Sequence, residues 1–148
     1  MDEDFSEDAM IALLPINSDW SKLDLPHMTL AYAGKIADLG PTMFNEMAKA
    51  VSSIAMMSPP ITVRVMGPDI FGDEEKVDVL RLQPTQEVMA MREMVKQYDV
   101  SDHSFRPHVT IGPMGSFVQN VPSYIAFDRI YVGWGDRGVS FWLRRQYG

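Results

Sequence analysis

The chain has 148 residues, with 13 Lys and Arg against 20 Asp and Glu for a formal charge of −7, no cysteine and three histidines. Without cysteine there is no disulfide framework, thiol nucleophile, iron–sulfur cluster or cysteine-bound zinc, so a catalyst here must use oxygen and nitrogen groups. The acidic balance argues against a surface that neutralises long DNA or RNA duplexes, yet leaves room for a small phosphate compound in a local pocket.

In chain order, the acidic start MDEDFSED lacks the basic character of a secretory signal, and the apolar stretch after it is too short to span a bilayer. The expected location is therefore the cytoplasm, the host's if the chain is phage-encoded, with no membrane partner. Met10 to Ile16 reads as a buried strand, and Asn17 to Pro26 as a loop that exposes or half-buries Trp20. Met28 to Ala33 reads as a second strand ended by Gly34. From Pro41 to Met57, Phe44, Met47, Ala48, Val51, Ile54 and Ala55 recur at helical spacing, bounded by Gly40-Pro41 and Ser58-Pro59-Pro60.

Ile61 to Met66 and Val77 to Gln83 predict an antiparallel ribbon, joined through Gly67-Pro68 and the turn at Gly72-Asp73. A second helix is expected over Thr85 to Tyr98. Val109 to Ile111, Tyr124 to Val132 and Val139 to Leu143 complete the strands, the last two joined across Gly135 to Gly138. Two helices among about seven largely antiparallel strands predict an α+β fold, and the length suits one domain over residues 1–148.

One pattern stands above this background. Pro26-His27-Met28-Thr29-Leu30 recurs as Pro107-His108-Val109-Thr110-Ile111, 108 − 27 = 81 residues on, with Gly34 and Gly112 following. On a strand the side chains alternate faces, so each copy sets an imidazole and a hydroxyl about 6.5–7 Å apart on one face, with hydrophobes on the other. If the copies face each other across a cleft, the four groups suit phosphodiester cleavage. A neutral imidazole takes a proton from the attacking oxygen, a protonated one supplies the leaving oxygen, and the threonine hydroxyls donate to the non-bridging oxygens. No metal or cofactor is needed, and a bell-shaped pH profile around neutrality is expected. A lone His-x-Thr is commonplace; its duplication with proline and alternating hydrophobes points to function. His103 lacks that context and is expected to be exposed.

The paired motifs resemble those of the two-histidine (2H) phosphoesterase superfamily, the LigT-like or 2′-5′ RNA ligase-like phosphodiesterases, whose signature is a pair of His-x-Thr/Ser-x motifs ending in a hydrophobe. The order of elements resembles that family over nearly the whole chain. The resemblance implies a bilobal fold with pseudo-twofold symmetry, two antiparallel sheets around a central cleft and helices packed outside. It implies metal-independent cleavage of a 2′,3′-cyclic phosphate, a 2′-5′ linkage or a cyclic oligonucleotide messenger, the last as a phage anti-defence nuclease. Residue by residue it makes His27 and His108 the acid/base pair and Thr29 and Thr110 the phosphate-orienting hydroxyls.

For substrate binding, Trp20, Phe71 and Trp134 are candidates to stack on a base and Arg106 to assist phosphate binding; Lys35, Arg64, Arg81, Arg144 and Arg145 are weaker candidates. Two other readings stand beside the enzyme: a module that sequesters a small nucleotide without turnover, and a metal hydrolase recruiting Asp24 or Asp102, in which the repeated threonines have no role. The sequence carries no signal for oligomeric state.

Overall fold

A computed structural model describes residues 7–116 and 120–144. Its strands and long helices follow the predicted order: β1 (Asp8–Pro15), β2 (Met28–Lys35), α1 (Met43–Met57), β3 (Ile61–Phe71), β4 (Val77–Leu82), α2 (Gln86–Val95), β5 (His108–Pro113), β6 (Tyr124–Trp134) and β7 (Arg137–Trp142). Every strand pairing among the described residues is antiparallel. The fold is therefore α+β, as expected.

The strands run in the order β2-β1-β6-β3-β4-β5, with β7 added to β6. The long strand β3 carries the path from one half to the other: residues 61–64 pair with β6 and residues 65–71 with β4. At the change of partner the register slips between Val65 and Gly67, and Gly67 has φ +143, a value that side chains disfavour. Exchanging β1, β2 and β3 with β4, β5 and β6 turns the strand order into itself read from the other end. The two His-x-Thr strands, β2 and β5, hold its two ends.

Helices break that symmetry. α1 follows β2 and buries Met47, Val51, Ile54 and Ala55, packing mainly against β6 and β7, while α2 precedes β5 and buries Val88, Met91 and Val95 next to β2. α2 begins where the Thr85 hydroxyl accepts the Val88 N–H at 3.3 Å, the usual remedy for an unpaired first-turn donor. β1 is buried almost continuously from Ile11 to Pro15 because strands flank it on both sides.

The structure departs from the sequence reading at several places, among them the end of α2, which stops at Val95 with Lys96–Tyr98 in a 3-10 turn. Gly34 does not end β2; it sits within it at φ +98, paired with Ala9 beside a register slip. Gly67-Pro68 lies inside β3, because a bulge accommodates the glycine and keeps the strand going. α1 starts at Met43, two residues later than expected. Trp20 is only 6% exposed: Asn17 O accepts its indole N–H within the same turn at 3.0 Å, which frees the ring to join the core. No helix among the described residues is long and apolar enough to cross a membrane.

Candidate active site

Both histidines are the residue after a proline, and that position decides their tautomer. His27 Nδ1 lies 2.8 Å from Leu25 O, and His108 Nδ1 lies 2.7 Å from Arg106 O. A carbonyl can only accept, so each ring carries its proton on Nδ1 and exchanges protons through Nε2. The intervening Pro26 and Pro107, whose rings fix φ, hold the turn that lays that carbonyl against the ring. Proline is thus part of the ring-orienting device as well as a strand signal.

β2 and β5 bring the four motif side chains together. His27, Thr29, His108 and Thr110 line one cleft of about 580 Å³. Both imidazoles are half-buried. Burial pushes the His27 pKa below the ordinary value of 6.5, against a smaller upward pull from the Leu25 carbonyl. His108 is lowered too, first by burial, partly offset by the Arg106 carbonyl, and further by the positive charges of His27, Arg106 and His103. Each imidazole therefore leans towards its neutral form, and protonation of His27 disfavours protonation of His108, which suits a pair with one base and one acid.

A family model described as the 2′-5′ RNA ligase superfamily matches residues 17–116, a span containing both motifs. The chain belongs to that superfamily. A curated relative, the RNA 2′,3′-cyclic phosphodiesterase of Bacillus subtilis (strain 168), is 24% identical over 110 residues, 69% of this chain and 58% of that protein; this chain thus spans little more than half its relative's length. Among solved structures the fold is similar to Usb1 of Kluyveromyces marxianus, with TM-score 0.64 and 10% identity over 93% of this chain and 99% of that one. It is also similar to TT0787 of Thermus thermophilus, with TM-score 0.60 and 12% identity over 93% and 95%. For E. coli LigT complexed with 3′-AMP the TM-score is 0.51, at 20% identity over 95% and 97%.

In this superfamily member each motif strand is braced along its edge by the segment that precedes the other motif. On β2, the Arg92 guanidinium donates to Leu30 O at 2.6 Å and to Asp99 Oδ2 at 3.2 Å. Asp99 Oδ1 accepts the Tyr32 N–H, Val100 N–H donates to Tyr32 O, and Ser101 Oγ donates to Asp99 Oδ2. Burial alone pushes the Asp99 pKa up, but the hydrogen bonds from Arg92, Ser101 and the Tyr32 backbone together bring it below the ordinary carboxylate value. On β5, Lys22 N–H donates to Ile111 O at 2.8 Å and Ser21 Oγ to Thr110 O at 3.0 Å. A Cβ on Gly112 would stand 2.7 Å from Ser116 Oγ, so that glycine serves a close approach, whereas Gly34 serves a positive φ.

The remaining candidates separate cleanly. Phe71 and Arg106 line the cleft: the Arg106 guanidinium carbon lies 4.3 Å from the Phe71 ring centroid, and Phe71 meets His108 edge-on at 4.7 Å. Trp20 is in the core, and Trp134 packs edge-on against Phe44 at 5.4 Å, so neither reaches the cleft. His103 is exposed, as expected, but it stands at the cleft's lip. Lys35 pairs with Asp8 and Arg81 with Asp69; with Arg64 and Arg144 they lie away from the cleft, and Arg145 is outside the described residues. Among the described residues no three His, Asp or Glu side chains form a group that could hold a metal ion. Sequence reasoning missed Arg92 and Phe105, which also line the cleft and meet at 5.1 Å. Their sequence signals are a lone cation on α2, which reads as an ordinary solvated residue, and an aromatic in the loop before β5, which reads as core.

Proposed function

We propose that the chain is a nucleotide phosphodiesterase working by histidine acid–base catalysis. The observation that carries this reading is that two Nδ1-anchored imidazoles and two threonines of matched strands line one cleft. In the reaction the neutral imidazole removes a proton through Nε2 from the attacking oxygen, which bonds to phosphorus. As the bond from phosphorus to the leaving oxygen breaks, the protonated imidazole delivers its Nε2 proton to that oxygen. Thr29 and Thr110 donate to the non-bridging oxygens, where charge accumulates. Residues 1–148 act as one two-lobed unit, a reading supported by the symmetric strand order.

The 2′,3′-cyclic phosphate of RNA is the first substrate to test, because the Bacillus subtilis relative is named for it. Solved neighbours complexed with 3′-AMP and uridine monophosphate support a nucleotide in the cleft. The same chemistry serves a 2′-5′ linkage or a cyclic oligonucleotide messenger, the latter being the task of an anti-defence nuclease if the chain is phage-encoded. Incubation with 2′,3′-cyclic nucleotides and 2′-5′-linked dinucleotides in excess chelator should give products identifiable by mass spectrometry, and none with His27→Ala or His108→Ala. Binding without turnover in the wild type would replace the enzyme with a sequestering module.

A further inference from the structure

Beside the catalytic cleft lies a second cavity of about 500 Å³ that, among the described residues, shares only His27 and Thr29 with it. Its chemistry is of another kind. The cleft sets Arg92, Arg106 and His103 among the carboxylates of Asp73, Glu75, Asp99 and Asp102, so an anion there meets cations as well. The second cavity is lined by Met10, Tyr32 and Tyr131 together with the carboxylates of Asp8, Asp24 and Asp136, and no Lys or Arg among the described residues lines it. Asp8 is already engaged, by Lys35 at 3.0 Å and the Tyr32 hydroxyl at 2.9 Å, whereas Asp24 and Asp136 are exposed. Such a chamber repels phosphate and accepts an uncharged group bearing N–H donors and a flat apolar face.

The flat face has a matching surface. Tyr131 on β6 leans along its own strand over Gly133 and the cross-strand partner Gly138. A Cβ on Gly133 would stand 3.0 Å from the ring edge, and one on Gly138 would stand within the ring itself. Two glycines facing each other across the β6–β7 pair thus leave the bed in which the tyrosine ring lies, its hydroxyl donating to Arg137 O at 3.4 Å, and Tyr131 lines the cavity. Stacking of a base on such a ring is a recurrent use of an aromatic beside a phosphate site.

We propose that this second cavity is a nucleoside subsite: a base stacks on Tyr131, its N–H edge is read by Asp24 and Asp136, and the attached ribose reaches phosphorus past His27 and Thr29. Guanine, with adjacent N1–H and N2–H₂ donors for a carboxylate, is the best fit; uracil, with one N–H between two carbonyls, is the poorest. The inference rests on the phosphodiesterase reading and narrows its substrate class. The nucleoside on the His27 side ends without a further phosphate, as in a linear 2′-5′ or 3′-5′ link. A nucleoside 2′,3′-cyclic phosphate meets the same requirement on that side, whereas a cyclic messenger is excluded because it would bring another phosphate among the carboxylates.

The test is nucleoside binding, read apart from turnover. Guanosine and uridine are titrated by calorimetry into the wild type and into His108→Ala, which removes the acid/base pair without touching the second cavity. The expected result is guanosine at least about tenfold tighter than uridine in both proteins, one charge-assisted hydrogen bond being worth that much. The ratio should fall towards one in the double variant Asp24→Asn/Asp136→Asn. Gly138→Ala, at a position without positive φ, should weaken both nucleosides about tenfold by displacing Tyr131, at an unchanged melting temperature. Equal affinity for the two nucleosides, or Gly138→Ala binding both like wild type, overturns the subsite. If the wild type prefers guanosine yet cleaves no diester, the subsite stands and the phosphodiesterase reading falls; cleavage without base preference does the reverse.

Discussion

The two His-x-Thr strands match in their first few residues and differ in everything that holds them. β2 is braced by a half-buried ion pair at the cleft wall: Arg92 and Asp99, 12% and 8% exposed at their side chains, which together occupy the Leu30 carbonyl and the Tyr32 N–H. β5 is braced by neutral groups, the Ser21 hydroxyl and the Lys22 N–H. The imidazoles differ in the opposite sense. Both are lowered first by burial, but His27 lies between two cavities, whereas His108 sits against Phe71 and is lowered further by the charges of His27, Arg106 and His103. A duplicated motif therefore presents the same side chains, anchored in the same way, from unequal surroundings. The copies share the short-range device of proline, carbonyl and ring, and their long-range supports are built separately.

The sharpest way to break the comparison is to remove each histidine. His27→Ala and His108→Ala should each lower kcat/KM by about 10²- to 10⁴-fold, and the double variant by little more than the worse single one, because an acid and a base act as a unit. Strongly multiplicative losses in steady-state assays would show that the two do not act together. Thr29→Val and Thr110→Val come next, at about 10²- to 10³-fold in kcat if each hydroxyl stabilises transition-state charge. A loss confined to KM would reassign them to ground-state binding.

The braces should then separate the two strands. Asp99→Asn leaves Arg92, half-buried at the cleft wall, without its counter-charge and should cost about 2–3 kcal/mol in denaturant unfolding, while Ser21→Ala should cost about 1 kcal/mol. Equal costs would mean that the ion pair is no more than a neutral brace. The same asymmetry reaches stability against pH. Both histidine pKa values lie below their unfolded value, so on acidification below about 6.5 the unfolded chain takes up protons first and stability falls until the folded values are passed. Asp99, lowered from 3.8, adds a second loss as pH falls below that value, and Asp99→Asn should abolish only this second phase.

The smallest effect concerns the pH profile. With both imidazoles lowered, the bell of kcat/KM should centre on the acid side of neutrality, a revision of the neutral maximum that the motif alone suggests. Arg106→Gln removes one positive neighbour of His108 and should move one limb upward and leave the other in place. Movement of both limbs would show that the two titrations are too strongly coupled to be assigned to separate rings.

Much of the fold was legible because its signals are local. Apolar alternation, helical spacing and the Thr85 cap each depend on a few consecutive residues, and the strand and helix order they predict is the observed one. Misreadings cluster at glycines and at Trp20, where the neighbours in space decide. Gly34 and Gly67 look like breaks but sit in bulged strands, and Trp20 looks like a loop aromatic until its own turn satisfies the indole N–H.

By itself the sequence determined the chemistry on offer: no thiol, two imidazoles in matched settings with their hydroxyls, and prolines that prepare each ring. Short-range geometry suffices for that, since a strand's alternation and a proline's fixed φ are properties of a few residues. Only the tertiary structure decided that β2 and β5 take the two ends of the strand order yet line one cleft, that Arg92 and Asp99 hold one of them, and that a carboxylate-lined chamber opens beside His27. Those facts join residues tens of positions apart, and their spacing along the chain carries no trace of the contact.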